Sequence, residues 1–453
     1  MSSASTILLV RPARFAFNAE TAASNHFQQL PPDLAGAAAQ QQAQAEFDEA
    51  VARLRSRGLQ VRVFDDTAEP PKPDAVFPNN WLTLHPDGRV LLYPMCAPNR
   101  RAERRPDILA ALAREFVVSE VIDLSGHEQQ GRFLEGTGSL VFDHAARVAY
   151  AALSPRTDAG LLQDVAAQLG YRAVAFRATD AQGQAIYHTN VMMCVGEGFA
   201  VLCRESIVDA AERAAVEAAL RSGGHVVVPI TLGQVARFAG NMLALRAADG
   251  RAVLVMSQSA YEVLTPMQRQ TLETHAELLP LRIPTIETLG GGSARCMLAE
   301  VRLPMRPTAA DQPVTLRRAT AADIAGMHVV RVSVRENRLS RPDRVTEADY
   351  QDMLGRRGAG WVAEAAGRIV GFAIVDAAAR SVWALFLHPD WEGRGIGRRL
   401  HDAMLSWCAA QGLPDLHLTT EPGTRAEHFY QVAGWQPQGL DASGEQRFER
   451  VLA

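Results

Sequence analysis

Cysteine, long apolar runs and net charge are all scarce in this chain of 453 residues. Its five cysteines are an odd number for so long a chain, which argues against a disulfide scaffold and favours a reducing compartment. No apolar run reaches about 18 residues, so we expect no membrane span, and the first residues lack the features of a signal peptide. The formal net charge of -4 offers no basic field for nucleic acid. We therefore expect a cytoplasmic protein without membrane or nucleic-acid partners.

The length and the composition indicate more than one folded domain. Hydrophobic residues make up 47% of the chain and charged residues 21%, which is a globular balance, and the length fits two or three domains. The best boundary is the segment 305–312, which combines proline with small polar residues between two apolar runs. We expect a first domain at 1–306, a linker at 307–313 and a second domain at 314–453.

Strand-like and helix-like segments alternate through the first domain, which predicts an α/β fold. Helices are expected, for example, at 160–169 and 206–222, between apolar strand-like runs. No clean repeat is visible along this part of the sequence.

One cysteine of the first domain stands in an unusual context. Cys296 follows Gly290, Gly291 and Gly292 at a distance of a few residues. Glycines permit backbone geometries closed to other residues and allow a ligand to approach the chain closely. A cysteine beside such a loop can be activated as a nucleophile. A buried structural role is the alternative, and it is the one we favour for the other four cysteines.

Two further patterns carry groups that suit acid–base chemistry. His188 opens an apolar strand and is flanked by polar residues, so it can act as a general acid or base. Glu135 stands in a glycine-rich turn that leads into another strand, where it can reach a ligand or merely cap the turn. Taken alone, each pattern fits a structural role equally well.

Together the three patterns resemble the superfamily of guanidine-modifying enzymes, which contains arginine deiminases, dimethylarginine hydrolases and amidinotransferases. The superfamily has a Phe-x-x-Asp segment, a Glu-Gly segment, a His segment and a C-terminal Cys in this order. Here Phe77 begins the first segment, and Asn80 stands at its acidic position. The strings 74–81, 187–193 and 290–301 look most like the citrulline-utilisation hydrolases. The resemblance covers about 5–305 and implies a five-bladed, pseudo-symmetric α/β propeller, the pentein fold.

Two departures from the superfamily pattern bear on the substrate. Asn80 and Asn190 stand where deiminases commonly have aspartate, the partner that a buried guanidinium needs. An amide both donates and accepts hydrogen bonds, so the two asparagines suit a neutral ureido group. The amides can also simply organise turns, and a related dihydrolase of succinylarginine has an asparagine-rich site. A guanidino substrate, arginine or an acylarginine, therefore stays open as the alternative to citrulline.

The resemblance implies nucleophilic catalysis without metal or cofactor. Cys296 attacks the ureido carbon, His188 shuttles protons and Glu135 orients the group. Ornithine, ammonia and CO2 are the expected products. Asn241 is expected to support the site. The residues considered for the amino-acid end of the substrate are Arg14, Asn18, Glu20 and Arg295, with Arg246 as a weaker candidate; an ordinary loop is the alternative for the N-terminal three.

A glycine-rich turn in the second domain joins a buried strand to a helix. Residues 382–387 form the expected strand, and glycines at 393, 395 and 397 open an apolar helix. Free backbone N–H groups and the helix dipole make such a helix start an anion site. The pattern does not match a dinucleotide fingerprint, because no acidic strand end follows at the expected distance.

With the hairpin at 361–373 and the segment 428–435, this turn resembles the GNAT acetyltransferases over about 314–453. The resemblance implies an α+β domain that binds acetyl-CoA, with Tyr430 as the acid that protonates the departing CoA thiolate. The implied cofactor contacts are Leu385, Phe386, Leu387, Gly393, Arg394, Gly395, Ile396, Gly397 and Arg398.

The acceptor of the acetyl group is less defined. The segment 333–343 lies where this fold often builds its acceptor loop, and Glu336 can either pair with an acceptor amine or remain a solvated charge. Glu392 replaces the glutamine or arginine usual in the family and places a negative charge beside the expected phosphates, which lowers the expected affinity.

These patterns predict a bifunctional enzyme that acts on small amino-acid substrates, in which the acetyltransferase acts on the freed amine. A homo-oligomer is compatible with the sequence. The alternative from another class is a regulatory protein, in which the first domain senses an amino acid and the second acetylates a protein or senses acetyl-CoA. The presence of Cys296, His188, Glu135 and Tyr430 favours catalysis.

Overall fold

The computed structural model describes residues 4–32, 34, 36–307, 313–334, 336 and 345–452. The chain divides into two compact units, Met1–Arg306 and Pro307–Ala453. Most of the linker predicted at 307–313 lies outside the described residues, as does most of the expected acceptor loop at 333–343. Within the described residues, no helix is both long enough and apolar enough to cross a lipid bilayer.

The first unit is built from short strands and from helices that connect them. The strands are β1 (Thr6–Arg11), β2 (Gln60–Asp65), β3 (Leu82–Leu84), β4 (Arg89–Leu92), β5 (Glu120–Asp123), β6 (Val141–Asp143), β7 (Val148–Ala152), β8 (Arg172–Phe176), β9 (Met193–Gly196), β10 (Phe199–Leu202), β11 (Val226–Pro229), β12 (Leu243–Arg246), β13 (Ala252–Ser257), β14 (Glu277–Leu281) and β15 (Ala299–Val301). The helices are α1 (Ala19–Ala22), α2 (Gly36–Ser56), α3 (Pro106–Glu115), α4 (Gly136–Ser139), α5 (Ala159–Leu169), α6 (Ala210–Ser222), α7 (Leu232–Val235), α8 (Gln258–Val263), α9 (Pro266–Glu273) and α10 (Pro284–Gly290).

The strands of the first unit repeat one pairing pattern five times. In the groups β3-β4-β5, β6-β7-β8, β9-β10-β11 and β12-β13-β14, the first strand pairs antiparallel with the second, which pairs parallel with the third. The same pattern joins β15, β1 and β2 from the two ends of the unit. A structural repeat is therefore present although no clean repeat was expected from the sequence.

Helices make the parallel connections of these groups. A parallel pair needs a crossover, because its second strand must start again at the same edge. Accordingly α2, α3, α5 and α6 each lie between the second and third strands of a group, and α8 and α9 do so together in another. The apolar faces of these helices pack on the strands, as Phe47 and Leu54 of α2 do, both fully buried.

The ends of two helices show how local chemistry sets their bounds. The helix predicted at 160–169 is observed as α5, which Asp158 caps by accepting the Leu161 N–H and which ends at left-handed Gly170. The helix predicted at 206–222 begins only at Ala210, because the Asp209 side chain accepts two N–H groups of the first turn and caps it there.

The second unit has one seven-stranded sheet in the order β16-β17-β18-β19-β20-β22-β21. Its strands are β16 (Thr315–Arg318), β17 (Gly358–Ala365), β18 (Arg368–Asp376), β19 (Ser381–Leu387), β20 (Asp415–Thr420), β21 (Gln436–Leu440) and β22 (Gln446–Val451). Its helices are α11 (Ile324–Ser333), α12 (Glu347–Asp352), α13 (Ile396–Ala410) and α14 (Arg425–Val432). The parallel strands β19 and β20 pair only at Ser381 and His417, so their other ends separate.

A buried carboxylate connects α2 to the helix that leads into the glycine-rich loop. Glu46 of α2 accepts the Thr285 N–H at 2.9 and 3.0 Å and the Ile286 N–H at 3.1 Å, both in the first turn of α10. Burial raises the pKa of Glu46 even though these N–H groups favour its charged form. The first N–H groups of a helix have no partner within it, so Glu46 satisfies two of them inside the core.

We expect Glu46→Ala to lower the free energy of unfolding by about 1–3 kcal/mol, because two buried N–H groups lose their acceptor. Urea denaturation of the full chain measures the change. Glu49→Ala is the matched control, since Glu49 lies on the exposed side of the same helix. Equal midpoints for the two variants would contradict this role of Glu46.

Candidate active site

The sulfur of Cys296 lies among amide groups in a buried turn. The turn Ala294–Met297 directly precedes β15, and Cys296 is buried within it. The Nδ2 atom of Asn241 lies 3.3 Å from the sulfur, and that of Asn190 lies 3.6 Å from it. The Oδ1 atom of Asn241 accepts the Arg295 N–H at 3.0 Å. Asn241 therefore holds both the backbone of the turn and the thiol.

The glycines before Cys296 let two side chains form hydrogen bonds with the loop backbone. Gly291 ends α10 in the left-handed conformation with φ at 59°. Its carbonyl accepts the Tyr187 hydroxyl at 2.6 Å and the side-chain amide of Asn25 at 3.2 Å. A side chain on Gly291 would meet Asn25 and Gln28, so the loop packs tightly under the N-terminal segment.

His188 and Glu135 form a buried acid–base pair. The Nε2 atom of His188 lies 2.8 Å from the Glu135 carboxylate, whose other oxygen accepts the Cys96 N–H at 3.0 Å. Burial acts to raise the pKa of Glu135, but Arg156, His188 and Arg100 together hold this pKa below its usual range. Burial lowers the pKa of His188 to about 4, so the imidazole is neutral at physiological pH and can accept a proton.

Gly138 explains why the turn after Glu135 is rich in glycine. A Cβ atom on Gly138 would stand 2.4 Å from the Asn80 side chain and 2.6 Å from the His188 ring. Only a residue without a side chain lets these two groups pack against the turn. The turn thus brings Glu135, His188 and Asn80 together.

Two buried arginines complete the pocket. Arg100 donates to both oxygens of Glu103 at 2.9 Å and to Oδ1 of Asn80 at 3.0 Å. Its guanidinium also lies 3.7 Å from Asp74. Arg156 lies 3.5 Å from the Glu135 carboxylate. These groups give the pocket fixed charges of both signs.

The pocket is narrow in this structure. Its walls include Asp74, Arg100, Arg156, His188 and Cys296, and they leave about 10 Å³, the space of a single water. Asn25, in the segment that follows α1, forms part of the walls. The Gln29 N–H of the same segment donates to the Thr288 carbonyl at 2.7 Å. An amino acid can therefore enter only if some of the pocket walls move.

Of the residues predicted to bind the amino-acid end of the substrate, only Asn18 lies close to the pocket. Arg14 is exposed and pairs with Glu69, far from the thiol environment. Arg295 is buried, but its guanidinium donates to the Leu298 carbonyl and faces Glu300. Consecutive side chains of this 3-10 turn are about 120° apart, so the neighbour of the cysteine lines another cavity and not this pocket. Asn18 is buried and donates to Asp74 at 2.7 Å, one residue removed from the cavity.

The remaining candidates also lie outside the pocket. Glu20 is exposed and accepts the Asn99 N–H, and Arg246 pairs with Glu197 on the surface. The arginines that do line the pocket, Arg100 and Arg156, were not identified from the sequence, since neither belongs to a recognisable motif.

The spacing of the site residues along the sequence is a signal that could have located the site. Asn80, Glu135, His188, Asn241 and Cys296 are 53 to 55 residues apart. In the structure each of them lies in the short segment that precedes the first strand of one group: β3, β6, β9, β12 and β15. The nearly constant spacing of these residues therefore indicates the structural repeat.

The second unit has an open cleft where β19 separates from β20. Its volume is about 950 Å³. The walls include the predicted residues Leu385, Phe386, Leu387, Gly393, Gly395, Gly397, Arg398 and Tyr430. Gly393 and Gly395 have φ of 74° and 71°, and α13 starts directly after them with its free N–H groups at the cleft. This set of donors fits a pyrophosphate.

Two predicted cofactor contacts have other roles. Ile396 is the first residue of α13 and its side chain is buried in the core. Arg394 turns away to donate to the Asp390 carbonyl and lies 4.7 Å over the ring of Trp391. A backbone contact from either residue remains compatible with the geometry, because the helix start itself borders the cleft.

Arg425 changes the interpretation of both acidic residues near the cleft. It forms an ion pair with Glu392, which offsets the negative charge expected to weaken phosphate binding. Its N–H donates to Glu336 at 3.0 Å, so Glu336 satisfies the first turn of α14. Glu336 still borders the cleft, but its carboxylate has a partner.

Comparison with known families places both units. Residues 11–303 match the family of eukaryotic N,N dimethylarginine dimethylhydrolases, and this match spans more than half of the chain. The chain therefore belongs to that family. Residues 328–435 match the acetyltransferase (GNAT) family. The chain thus joins an amidino-hydrolase domain of the pentein type to a GNAT acetyltransferase domain, and both are enzymatic.

Solved structures show the same fold for the first unit. The N-terminal domain of ArgZ, an arginine dihydrolase from the ornithine-ammonia cycle in cyanobacteria, was solved bound to product. It has 18% identity and a TM-score of 0.53, covering 67% of this chain and 99% of that chain. Unliganded AgrE has 17% identity and a TM-score of 0.53, covering 72% of this chain but 44% of that chain. No curated protein matches the chain.

We expect Asn241→Ala to lower the free energy of unfolding by about 1–3 kcal/mol, because the Arg295 N–H and the Asn190 carbonyl both lose a buried partner. The same change should alter the rate at which iodoacetamide labels Cys296, since the sulfur loses its nearest amide. Thermal unfolding and mass spectrometry measure the two effects. An unchanged labelling rate would mean that Asn241 does not hold the thiol.

Proposed function

We propose that the first unit is a thiol hydrolase that converts free arginine through bound citrulline to ornithine. The observation that carries this proposal is that Cys296 and His188 line one buried pocket, with Glu135 bonded to His188 and charged groups in the same walls. A nucleophile, a neutral base and a fixed carboxylate are the parts that hydrolysis of an amidino group needs.

The first half of the reaction releases one ammonia. His188 takes the Cys296 proton, and the thiolate attacks the guanidino carbon. The C–N bond to the terminal nitrogen breaks as His188 returns the proton to the departing ammonia. Water then attacks the carbon with His188 as base, the C–S bond breaks and citrulline remains. Glu135 stabilises the protonated imidazole at each stage.

The second half repeats the chemistry on the ureido group. Attack by Cys296 and loss of ammonia leave a thiocarbamate, and water releases a carbamate that decarboxylates to ornithine and CO2. In total, arginine and two waters give ornithine, two ammonia and one CO2, so atoms balance.

The charges around the pocket favour a cationic substrate. Burial raises the pKa of Asp74 and raises that of Glu103 to about 7. These raised pKa values favour the neutral carboxyl groups in the empty pocket, whereas ionised Asp74, Glu103 and Glu135 would exceed Arg100 and Arg156 by one negative charge. Arginine has one net positive charge, so its binding stabilises the ionised carboxylates. The arginine dihydrolase activity of ArgZ and the complex of AgrE with L-arginine support the same substrate.

Citrulline as the only substrate is the second candidate, and one orphan donor favours it. The Oδ1 atom of Asn80 is engaged by Arg100, while its Nδ2 atom has no partner among the described residues. A guanidinium offers only donors to this N–H, whereas a ureido group offers a carbonyl acceptor. In the arginine proposal the same donor serves the second half-reaction.

The charged side chains in the pocket walls suit the α-amino and α-carboxylate groups of a free amino acid. Arg100 and Arg156 can bind an α-carboxylate, and Asp74 can bind an α-ammonium. The Oδ1 atom of Asp74 has no partner among the described residues, which leaves an acceptor for that ammonium. These three residues take the roles expected of Arg14, Asn18 and Arg295.

We also infer that the five strand groups are the five blades of the propeller implied by the sequence resemblance. Support comes from the identical pairing in each group and from the site residues, each of which precedes the first strand of its group. Residues so placed meet at one end of a common axis.

For the second unit we propose transfer of an acetyl group from acetyl-CoA to a small amine. The phosphates of acetyl-CoA would bind at the start of α13 and at Arg398. Its pantetheine arm would lie along the edge of β19 that borders the cleft. Tyr430 borders the cleft, and burial raises its pKa, so it is protonated at physiological pH and can donate to the departing thiolate. Ornithine from the first unit is the acceptor we propose, since tethering raises its local concentration.

We expect Cys296→Ser to abolish ammonia release from both arginine and citrulline, because the serine hydroxyl is a far weaker nucleophile at its ordinary pKa. Coupled ammonia detection and ornithine analysis measure the loss. The control Cys408→Ser removes a buried thiol of the other unit and should leave release unchanged.

The product ratio in the unmodified chain separates the candidates. Two ammonia per ornithine from arginine supports the dihydrolase. Release from citrulline but not from arginine supports the second candidate. Full activity in Cys296→Ser would exclude both.

We expect Tyr430→Phe to lower the rate of acetyl transfer to ornithine by about a hundredfold, because the departing thiolate loses its acid. Release of CoA thiol measures the rate. Tyr350→Phe is the control, since Tyr350 is buried in the same unit but does not border the cleft. Equal rates in both variants would exclude Tyr430 as the acid.

A further inference from the structure

A second cavity lies inside the first unit, behind the nucleophile. We call it the rear cavity; it has a volume of about 200 Å³ and its walls include Asn190, Arg295, Asp143, Glu300, Ala145 and Glu197. None of these residues borders the pocket that contains Cys296 and His188. The catalytic mechanism above leaves this larger cavity without a role.

The inner end of the rear cavity reaches the back of the nucleophile. Asn190 is buried and its amide lies 3.6 Å from the Cys296 sulfur. Arg295 is the residue before Cys296, and its side chain is buried on the side away from the catalytic pocket. Asn190, which lines the rear cavity, is therefore in contact with the sulfur of Cys296, which lines the catalytic pocket.

The outer end of the rear cavity opens at the surface. Ala145 follows β6, and Glu197 and Gly198 follow β9; all three are exposed and border the cavity. The catalytic residues precede the same strands. The cavity thus runs along β6 and β9 from the nucleophile to the opposite face, a distance of about 13 Å for four extended residues.

Polar groups line this path. The His225 ring lies 2.5 Å from the Asp143 carboxylate, and Arg295 lies 3.6 Å from Glu300. Such walls hold water and small polar molecules well, because each can replace its hydrogen bonds there. The carboxylates that line the path are each paired with a basic side chain, so the walls are polar without a large excess of one charge.

The proposed reaction needs such a path. Substrate fills the catalytic pocket, whose free space in the structure is about 10 Å³. Ammonia must leave and water must reach the carbon while the C–S bond on Cys296 is still intact. We propose that the rear cavity is the passage for water and ammonia, with Asn190 as its inner gate. This inference rests on the hydrolase function proposed above.

A passage gated by one amide side chain would be selective. Movement of the Asn190 side chain alone would make room for water or ammonia, whereas an amino acid needs a much larger opening. The bound substrate and its covalent adduct therefore stay on the side of Arg100 and Arg156 while the small molecules exchange behind them.

Plugging the cavity away from the catalytic residues tests the passage. Ala244→Phe places a ring inside it, and Ala145→Trp places one at its mouth, since both alanines border the cavity. We expect ammonia release from arginine to show a kcat about tenfold lower with kcat/KM unchanged, because only hydrolysis of the adduct is slowed. Mass spectrometry of quenched protein should show more adduct on Cys296. The control Val121→Phe adds the same ring at an exposed site of β5.

A second measurement needs no turnover. Hydrogen peroxide, which is close to ammonia in size, should label Cys296 by oxidation more slowly in both plugged variants than in the unmodified chain, and should label Cys96, which does not border the rear cavity, at the same rate. Unchanged kcat and unchanged labelling of Cys296 in folded variants would overturn the passage. If the unmodified chain releases no ammonia, the hydrolase proposal fails, and the labelling comparison still decides whether the cavity leads to the thiol.

Discussion

The buried carboxylate of Glu135 is the constraint on which the pocket depends. An ionised carboxylate without water is strongly disfavoured unless cations and hydrogen-bond donors surround it. Arg156, His188, Arg100 and the Cys96 N–H provide them. The same contacts fix the imidazole beside the substrate space, so the electrostatic requirement of one side chain sets the geometry of the catalytic groups.

Convergence of distant residues follows from the repeated strand groups. Asn80, Glu135, His188, Asn241 and Cys296 each end a short segment before the first strand of a group. Because the groups share one pairing pattern, these segments have equivalent positions in each. The chain can therefore place five chemically different side chains in one region without bringing them close in sequence.

The glycine contexts made part of the site predictable from sequence, since glycine at Gly138 or Gly291 reflects close packing around a functional group. Arg100 and Arg156 had no such context. Their partners Asn80 and Glu135 lie 20 and 21 residues away, and only the fold brings them together. The prediction that Arg295 binds the substrate was unreliable for a related reason. Its position next to Cys296 in the sequence does not determine which side of the turn its side chain faces. The strand repeat was hidden because the pairing, not the residue types, repeats.

In the proposed dihydrolase, the position of Cys296 beside both cavities bears on how one thiol would serve two successive hydrolyses. The groups that hold the charged end of the substrate would bind it more weakly if water entered and screened their charges. The catalytic pocket therefore benefits from staying closed throughout. Each adduct nevertheless needs a water molecule. A polar path that ends at Asn190, behind the sulfur, allows both conditions at once, since water then arrives without passing Arg100, Arg156 or Asp74. Retention of citrulline between the two half-reactions follows from the same closure.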